Sequence, residues 1–263
     1  MIHVVHADCL KFLPAEGIPA TFIYMDPPFM TQRVHRMGNS VAFDDRWDNW
    51  WTFNRSLVPR VIACWQSLNE RGSLVLHLGP DVARRVAVAL IPFLGEPTSE
   101  VIWRYRRWPS KTKNLQKVHD VMLRWAKPGA TFHQLYEPLA ESTRKTWGDS
   151  KQLAVVDASG RRTRSSKTEE KSPGVPLGDV WDDIGIVAPV AHERTGYPTQ
   201  KPEALLRRWI EMSTDPGDLV IDPFMGSGTT LAAARALGRS AVGIDTSALA
   251  VEVASRRLGL EAA

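Results

Sequence analysis

Cysteine is scarce in this sequence, and the scarcity limits how the chain can be held together. Cys9 and Cys64 are the only two cysteines among 263 residues. We therefore expect no disulfide framework, and we expect the protein to work in a reducing, cytoplasmic compartment. The seven histidines show no metal-ligand spacing with these cysteines, which argues against a zinc site. We predict no metal at the functional site.

Long apolar runs are also missing, although the chain is apolar enough to fold. Hydrophobic residues make up 43% of the sequence, which is ordinary for a globular protein with a core. No run approaches the roughly 18–20 apolar residues of a membrane-spanning helix. The first ten residues show no basic segment before an apolar one, so we expect no secretion signal. The length suits one large α/β domain with an insertion.

Acidic residues are under-represented in the middle of the chain. Residues 104–171 contain 16 Lys and Arg against 7 Asp and Glu, a net charge of +9, and since the whole chain carries +4 the remainder carries −5. A basic middle of this kind suits contact with a polyanion such as nucleic acid. A solvated, loop-rich insertion is the alternative interpretation.

Apolar runs and turn residues predict strands that alternate with helices at both ends of the chain. The predicted strands are 20–26, 72–79, 100–108, 218–222 and 240–245. The predicted helices are 49–69, 80–94, 202–213, 228–238 and 247–258. Pro59 is expected to interrupt or kink its helix. Region 104–195 lacks clear periodicity, and its polar stretch 159–174 predicts a mobile loop. The alternation indicates a parallel α/β sheet that binds ligands at the carboxyl ends of its strands.

The glycine-rich turn "DPFMGSGTT" (222–230) lacks the features of two common nucleotide motifs. A dinucleotide fingerprint would need a glycine where the chain has Leu231, and a P-loop would need a lysine after Gly228. Gly226 and Gly228 still let the backbone approach a ligand where a helix begins. Asp245 ends the next strand, where an acid often binds ribose hydroxyls. The turn predicts a nucleoside ligand without a pyrophosphate, or else a turn that only packs strand against helix.

The stretch "TFIYMDPPF" (21–29) places an acid and two prolines at the end of a predicted strand. Each proline fixes φ at about −65° and lacks an N–H, and Pro27 also restricts Asp26 to extended geometry. The result is a stiff edge that can only accept hydrogen bonds. A plain strand end, with Asp26 capping a turn and Phe29 in the core, is the alternative.

Four motifs, in this order, resemble the β group of DNA amino-methyltransferases, in which the catalytic motif precedes the cofactor motif. They are HADCLKFL (6–13), DPPF (26–29), GYPTQKPEALL (196–206) and DPFMGSGTT (222–230). DPPF is similar to the family's catalytic motif, and the glycine-rich turn to its S-adenosylmethionine motif. The family often has Tyr where this chain has Phe29, and Glu where it has Asp245. Neither departure removes the chemistry.

The resemblance implies a circularly permuted, Rossmann-like methyltransferase fold with a mostly parallel sheet. Residues 1–103 would form the catalytic half, 104–195 an inserted target-recognition region, and 196–263 the cofactor-binding half. The implied catalytic residues are Asp26, Pro27, Pro28 and Phe29. The implied cofactor-binding residues are Asp8, Cys9, Thr199, Lys201, Asp222, Phe224, Gly226, Ser227, Gly228, Thr229 and Asp245. The expected DNA contacts are Arg104, Arg106, Arg107, Lys111 and Lys113.

The resemblance also implies an activity, the transfer of a methyl group from S-adenosylmethionine to the N6 amino group of adenine in double-stranded DNA. The transfer would be a direct in-line attack after base flipping. An acid at position 26 usually goes with adenine in this family, and a serine there with N4 of cytosine. N4-cytosine methylation, RNA methylation and a catalytically silent DNA-binding role stay open. A cognate restriction endonuclease and a second copy of the chain are further implied partners, in a bacterial nucleoid or phage-encoded setting.

Three further clusters lie outside these motifs. The stretch "DDRWDNWW" (44–51) is interpreted as packing or a dimer surface. Trp103, Tyr105 and Trp108 alternate with basic residues, so they either join the DNA contact or pack in the core. His119 and Asp120 are adjacent, and we expect a structural role for them.

Overall fold

The computed structural model of the chain describes residues 1–109, 111 and 113–260. Its strands are β1 (Ile2–His6), β2 (Ala20–Met25), β3 (Val34–Met37), β4 (Ser40–Asp44), β5 (Leu68–Leu78), β6 (Ser99–Arg104), β7 (His119–Ala126), β8 (Tyr136–Glu137), β9 (Ser150–Val156), β10 (Arg162–Lys171), β11 (Val175–Pro176), β12 (Val180–Trp181), β13 (Leu219–Asp222) and β14 (Ser240–Asp245). Its helices are α1 (Cys9–Glu16), α2 (Trp50–Gln66), α3 (Pro80–Leu94), α4 (Glu141–Trp147), α5 (Glu203–Ser213), α6 (Thr229–Ala236) and α7 (Ala248–Leu258).

The chain divides into two compact units. The larger unit comprises Met1–His133 and Asp179–Ala263, and the smaller unit comprises Gln134–Gly178. Within the part of the chain that the structure describes, no helix is long and apolar enough to cross a membrane.

An eight-stranded sheet in the order β1-β14-β13-β2-β5-β7-β6-β12 organises the larger unit. Neighbouring strands are parallel, except that β7 is antiparallel to both β5 and β6. Because β7 is antiparallel to both of its neighbours, β5 and β6 point the same way. The carboxyl ends of the seven other strands therefore meet at one edge, which we call the carboxyl edge. The predicted mostly parallel α/β sheet is confirmed.

Helices pack on both faces of this sheet, because side chains alternate between the faces along each strand. Ile23 and Met25 of β2 join the apolar core that includes residues of α1, α2 and α3. Leu123 of β7 joins the same core. The preceding residue, Met122, points the other way, and its sulfur accepts a hydrogen bond from Trp209 of α5 at 3.1 Å. Both faces of the central strands are thus buried, as their near-continuous apolar sequences require.

The predicted elements near the carboxyl terminus agree closely with the structure. The segment 218–258 forms β13, α6, β14 and α7 as predicted. Ser247 caps α7 by accepting a hydrogen bond from the backbone N–H of Ala250, and Gly259 ends the helix in the left-handed conformation.

Two features differ from expectation: Pro59 does not interrupt its helix, and region 104–195 contains a long strand. Helix α2 continues through Pro59 without interruption, because one missing N–H removes a single bond from a helix whose buried face holds it in place. Region 104–195 lacks clear periodicity in the sequence, yet it supplies β7, whose apolar run is broken by the buried Arg124. That arginine hides the strand pattern.

The smaller unit is built from antiparallel pairs. Strand β10 pairs with β9, and β11 pairs with β8. The stretch 159–174, predicted as a loop, contains β10 because main-chain hydrogen bonds between paired strands need no apolar side-chain face. This unit covers a shorter stretch of the chain, Gln134–Gly178, than the insertion predicted at 104–195.

Candidate active site

A cavity of about 430 Å³ opens at the carboxyl edge, beside β2, β13 and β14. Its size lies within the roughly 300–1,000 Å³ of small-molecule sites. Twelve predicted residues line it, namely Asp26, Pro27, Pro28, Phe29, Thr199, Lys201, Asp222, Phe224, Gly226, Ser227, Thr229 and Asp245. The fold thus brings three distant motifs to one place.

A smaller cavity of about 140 Å³ shares part of this wall. It is lined by Asp8 and Cys9, and also by Phe224 and Asp245, which line the larger cavity too. The four sequence motifs are therefore represented around two cavities with common walls. Gly228 is the one predicted cofactor residue that lines neither of them.

Asp26 forms an ion pair with Lys201, which lies 175 positions later in the chain. The Lys201 ammonium donates to both Asp26 carboxylate oxygens, at 2.7 and 2.6 Å. The side chain of Lys201 is 10% exposed and that of Asp26 is 18% exposed, so solvent screens the pair only in part. Lys201, predicted as a cofactor contact, therefore touches the predicted catalytic carboxylate.

The Phe29 ring lies between three groups that fix its position. Its centroid is 5.7 Å from that of His77, and the Lys201 ammonium lies 5.0 Å from the ring. A Cβ at Gly79 would lie 3.3 Å from Phe29 Cδ2, so the absence of a side chain there leaves room for the ring. Phe29 is half-buried against the core rather than wholly within it.

Asp45 holds the backbone that follows the DPPF motif. Its carboxylate accepts from the N–H groups of Phe29, Met30 and Thr31 at 3.2, 2.8 and 2.8 Å. It also accepts from the Thr31 hydroxyl at 2.6 Å and from the Trp47 indole at 3.1 Å. Asp45 is only 1% exposed, so these five donors replace its hydration. The stretch "DDRWDNWW", interpreted as packing or a dimer surface, thus supplies a residue that shapes the site.

Backbone strain in the described residues concentrates at this site. Three non-glycine residues have positive φ, namely Met30 at 59°, Gln32 at 60° and Thr199 at 59°. Such conformations cost about 1–3 kcal/mol each and persist where surrounding contacts hold them. Met30 and Gln32 follow the catalytic motif, and Thr199 precedes Lys201, so the strained positions flank the Asp26–Lys201 pair.

Two carboxylates shape the glycine-rich turn. Asp222 is buried and accepts from the Phe224 N–H at 3.0 Å and the Thr230 hydroxyl at 2.5 Å. Burial raises the pKa of Asp222 to about 7. Asp245 accepts from the N–H groups of Gly226 and Ser247 at 3.0 and 2.9 Å. Burial also raises the pKa of Asp245.

The glycines of this turn are explained partly by packing within the protein. Gly226 and Gly228 have positive φ of 47° and 73°. A Cβ at Gly226 would lie 3.1 Å from the Tyr197 ring, and one at Gly228 would lie 3.0 Å from the Ala254 Cβ. Gly228 therefore serves the contact between this turn and α7, whereas Gly226 lies on the cavity wall.

Ser227 and Thr229 contact Arg257, whose side chain is 9% exposed and which the sequence did not predict. Their hydroxyl oxygens lie 3.2 Å apart. Arg257 donates to the Thr229 hydroxyl at 2.9 Å and to Glu203 at 2.8 Å. These contacts join the start of α6 to α7 and α5.

Asp8 is engaged within the protein. It caps α1 by accepting from the Leu10 N–H at 3.0 Å, and its other oxygen pairs with Arg60 at 2.7 Å. Arg60 also lines the smaller cavity and was not predicted. Cys9 is 3% exposed, and burial raises the pKa of its thiol to about 11, so the thiol stays protonated.

A buried polar network lies beneath Phe29. The Tyr24 hydroxyl is 2.6 Å from His77 Nδ1, and His77 Nε2 is 3.1 Å from an Asp120 oxygen. A carboxylate can only accept, so Nε2 donates to it. The Tyr105 hydroxyl donates to Asp120 at 3.0 Å. Asp120 thus accepts hydrogen bonds from both His77 and Tyr105, which agrees with the structural role expected for it.

Burial and hydrogen bonds set the protonation of two members of this network, Tyr24 and Asp120. Burial raises the pKa of Tyr24 well above its usual range. Burial alone would raise the pKa of Asp120, but hydrogen bonds from His77 and Tyr105 and the charge of Lys201 lower it below its usual value. Tyr24 therefore stays protonated and Asp120 stays ionised.

The predicted DNA contacts lie at and beyond the end of β6. Arg106, Arg107, Lys111 and Lys113 are exposed. Arg104 is also exposed, and it lies 3.5 Å from Asp182. The aromatic residues among them divide, since Trp103 is 1% exposed and Trp108 is 87% exposed. Core packing thus holds for Trp103 and not for Trp108.

Sequence comparisons place the chain among DNA methyltransferases. The sequence model of a family described as DNA methylase, the N6 and N4 methyltransferases, matches residues 20–256. The chain is 28% identical over 266 residues to DNA adenine methyltransferase YhdJ of Escherichia coli (strain K12), covering 97% of this chain and 82% of that protein. It is 27% identical over 306 residues to Type II methyltransferase M.EcaI of Enterobacter cloacae, covering 95% and 67%.

Solved structures share the fold. The M1.HpyAVI–SAM complex matches with a TM-score of 0.63 at 20% identity, covering 99% of this chain and 100% of that one. PvuII DNA methyltransferase, which is described as cytosine-N4-specific, matches with a TM-score of 0.64 at 18% identity, covering 97% and 86%. These likenesses support the predicted Rossmann-like methyltransferase fold.

Proposed function

Because the chain belongs to the DNA methylase family of N6 and N4 methyltransferases, we propose that it methylates the N6 amino group of adenine within a specific sequence of double-stranded DNA. The methyl donor is S-adenosylmethionine. One observation carries the proposal above the others. Asp26 and the glycine-rich turn follow neighbouring strands, β2 and β13, and line one cavity.

Asp26 and the Pro27 carbonyl act as hydrogen-bond acceptors for the target amino group. The nitrogen lone pair of an amino group on a nucleobase is delocalised into the ring, so the nitrogen is a weak nucleophile. Two acceptors hold the group and favour the more pyramidal, reactive geometry. Positive charge develops on that nitrogen during transfer, and preorganised acceptors stabilise it most at that point. Pro27 and Pro28 keep competing N–H donors away.

The residues around the two cavities fit a nucleoside cofactor that carries a sulfonium. When bound, S-adenosylmethionine supplies an activated methyl group. Asp245 borders both cavities, and its carboxylate has about four acceptor sites, so it keeps capacity for ribose hydroxyls beside its backbone hydrogen bonds. Asp8 and Cys9 would border the adenine in the smaller cavity, and Lys201 would face the methionine end.

Flipping of the target base makes Phe29 a stacking surface. The amino group is paired inside a duplex, and extrusion of the base costs a few kcal/mol. Stacking on an aromatic ring offsets about 1–3 kcal/mol of that cost. His77, Gly79 and Lys201 fix the Phe29 ring, so it needs little rearrangement to receive the base.

Adenine is the proposed target for two reasons. The acid at position 26 usually goes with adenine in this family, and YhdJ is described as a DNA adenine methyltransferase. N4 of cytosine is the competing target, and both bases carry an amino group beside a ring nitrogen. The basic segment after β6 and the smaller unit would read the DNA, with a restriction endonuclease and a second copy of the chain as proposed further partners.

The test is product analysis with purified protein, labelled S-adenosylmethionine and a mixed-sequence plasmid, followed by digestion to nucleosides. Asp26→Ala serves as the catalytic control. We expect N6-methyladenine from the wild type and none from the variant. N4-methylcytosine would overturn the base assignment and keep the reaction class. If the wild type bound S-adenosylmethionine but methylated no DNA, the proposed substrate would be wrong.

A further inference from the structure

Two of the most exposed apolar side chains in the larger unit lie on one basic loop. The β6–β7 loop (105–118) carries Trp108, which is 87% exposed, and Leu115, which is 91% exposed. The same loop contains five Lys and Arg and no acid. A large aromatic ring kept in water on a positively charged loop indicates a surface that meets an anionic partner with an apolar interior, as duplex DNA is.

Topology places this loop at the catalytic edge of the sheet. Strand β6 points the same way as β2, so its carboxyl end leaves the sheet on the side of the DPPF motif. Tyr105, the first loop residue, bonds to Asp120, and Asp120 bonds to His77 beneath the Phe29 ring. Trp108 is three residues further on, a reach of at most about 10 Å.

The loop is fixed at its base and presents its apolar residues at one end. The Tyr105 N–H donates to the Val118 carbonyl at 2.9 Å. Gln116, which follows Leu115, donates through its side chain to the Trp108 carbonyl at 2.9 Å, so the two apolar residues lie at the same part of the loop. Lys117 pairs with Asp81 in the first turn of α3, next to the segment that contacts Phe29.

We propose that Trp108 is a wedge that enters the base stack where the target base leaves it, with Leu115 packing beside it. This inference rests on the proposed function, because it needs a base that is flipped from a duplex. Proteins that distort DNA commonly insert apolar side chains between base steps in this way. The neighbouring arginines and lysines hold the phosphates, and the indole replaces the stacking that the flipped base gives up.

The test compares two duplexes that carry the site mapped by the plasmid assay. In the first duplex the target base is paired, and in the second it faces an abasic position and is already unpaired. For Trp108→Ala we expect kcat/KM to fall about tenfold or more on the paired duplex, in line with the loss of one aromatic stacking contact. On the unpaired duplex we expect a change of less than about threefold, since opening is then largely complete. Trp108→Phe should retain most of the activity on both.

Two control variants separate this role from simpler ones. Arg107→Ala removes a phosphate contact, so its loss should be similar on both duplexes and should shrink at low salt. Phe93→Ala removes another exposed aromatic ring, 56% exposed on α3, and should change neither rate. An unchanged dissociation constant for S-adenosylmethionine would verify that Trp108→Ala is folded.

An equal loss for Trp108→Ala on both duplexes would overturn the wedge and leave the proposed methyltransferase function standing. The same holds if Trp108→Ala methylates the paired duplex as fast as the wild type does. If the wild type methylated neither duplex, the proposed function would fail, and the wedge with it.

Discussion

The turn after β2 and the β6–β7 loop leave the same edge of the sheet, but buried hydrogen bonds hold the turn, whereas most of the loop is exposed. Asp45 accepts three backbone N–H groups of the turn in a nearly dry environment. The loop is tied at its base, and its basic residues extend into solvent. Methyl transfer needs acceptors fixed to within a fraction of an ångström. Recognition of DNA needs charges that can reach phosphates. Under the proposed function, the anchored turn would carry the acceptors and the exposed loop the phosphate contacts.

A direct test of the anchored turn is Asp45→Asn. The amide NH2 would face backbone N–H donors and leave some unpaired, so the turn would shift. We expect the single-turnover methylation rate to fall about 100-fold, the effect of a displacement of about 1 Å in a catalytic group. Asp48→Asn, an exposed acid three positions on, is the matched control and should keep the full rate. If Asp45→Asn methylated DNA at the wild-type rate, the turn would not depend on this carboxylate.

Lys201→Met tests whether the ion pair belongs to the anchoring of the site. Without the ammonium, the Asp26 carboxylate loses its two short contacts and can turn, so we expect a loss of about tenfold in rate. Combined with Asp26→Asn, the two changes should be non-additive by on the order of 1 kcal/mol, because each removes the same contact. Lys11→Met, an exposed lysine on α1, is the control. Additive effects would show that Lys201 acts independently of Asp26.

The smallest expected effects concern the exposed loop. Arg106→Ala and Arg107→Ala should each make the negative slope of log affinity against log salt shallower by about 1, since each contact with a phosphate displaces about one counterion. Arg256→Ala, an exposed arginine on α7, should leave the slope unchanged. Slopes unchanged in all three variants would show that the loop does not contact the DNA backbone.

Local features of the site could be predicted from the sequence, whereas contacts between distant residues could not. The glycine-rich turn and its flanking strands were predicted closely, because the short apolar strands, the glycines and the cap at Ser247 all leave local signals in the sequence. Asp45 was missed because its partners come from the turn before a hairpin, 14 to 16 positions away. No local pattern distinguishes a buried acid from an exposed one in a stretch as polar as "DDRWDN".

Contacts between residues far apart in the chain were harder still to predict from the sequence. The Asp26–Lys201 pair spans 175 positions, and the network beneath Phe29 joins Tyr24, His77, Tyr105 and Asp120 from four separate segments. Their meeting depends on the strand order, in which the reversed strand β7 lies between β5 and β6. The sequence did not predict β7, so it could not predict the network either.

The most direct test of the central claim is a single-turnover measurement on Asp26→Asn, with DNA and S-adenosylmethionine both saturating. Asparagine keeps the shape of the side chain and removes its charge. We predict that the rate of methyl transfer falls by about 100-fold or more, the usual effect of losing one preorganised electrostatic contact. The dissociation constant of S-adenosylmethionine should change by less than about threefold. A variant that transfers methyl groups at the wild-type rate would contradict the assignment of Asp26 as the catalytic acceptor.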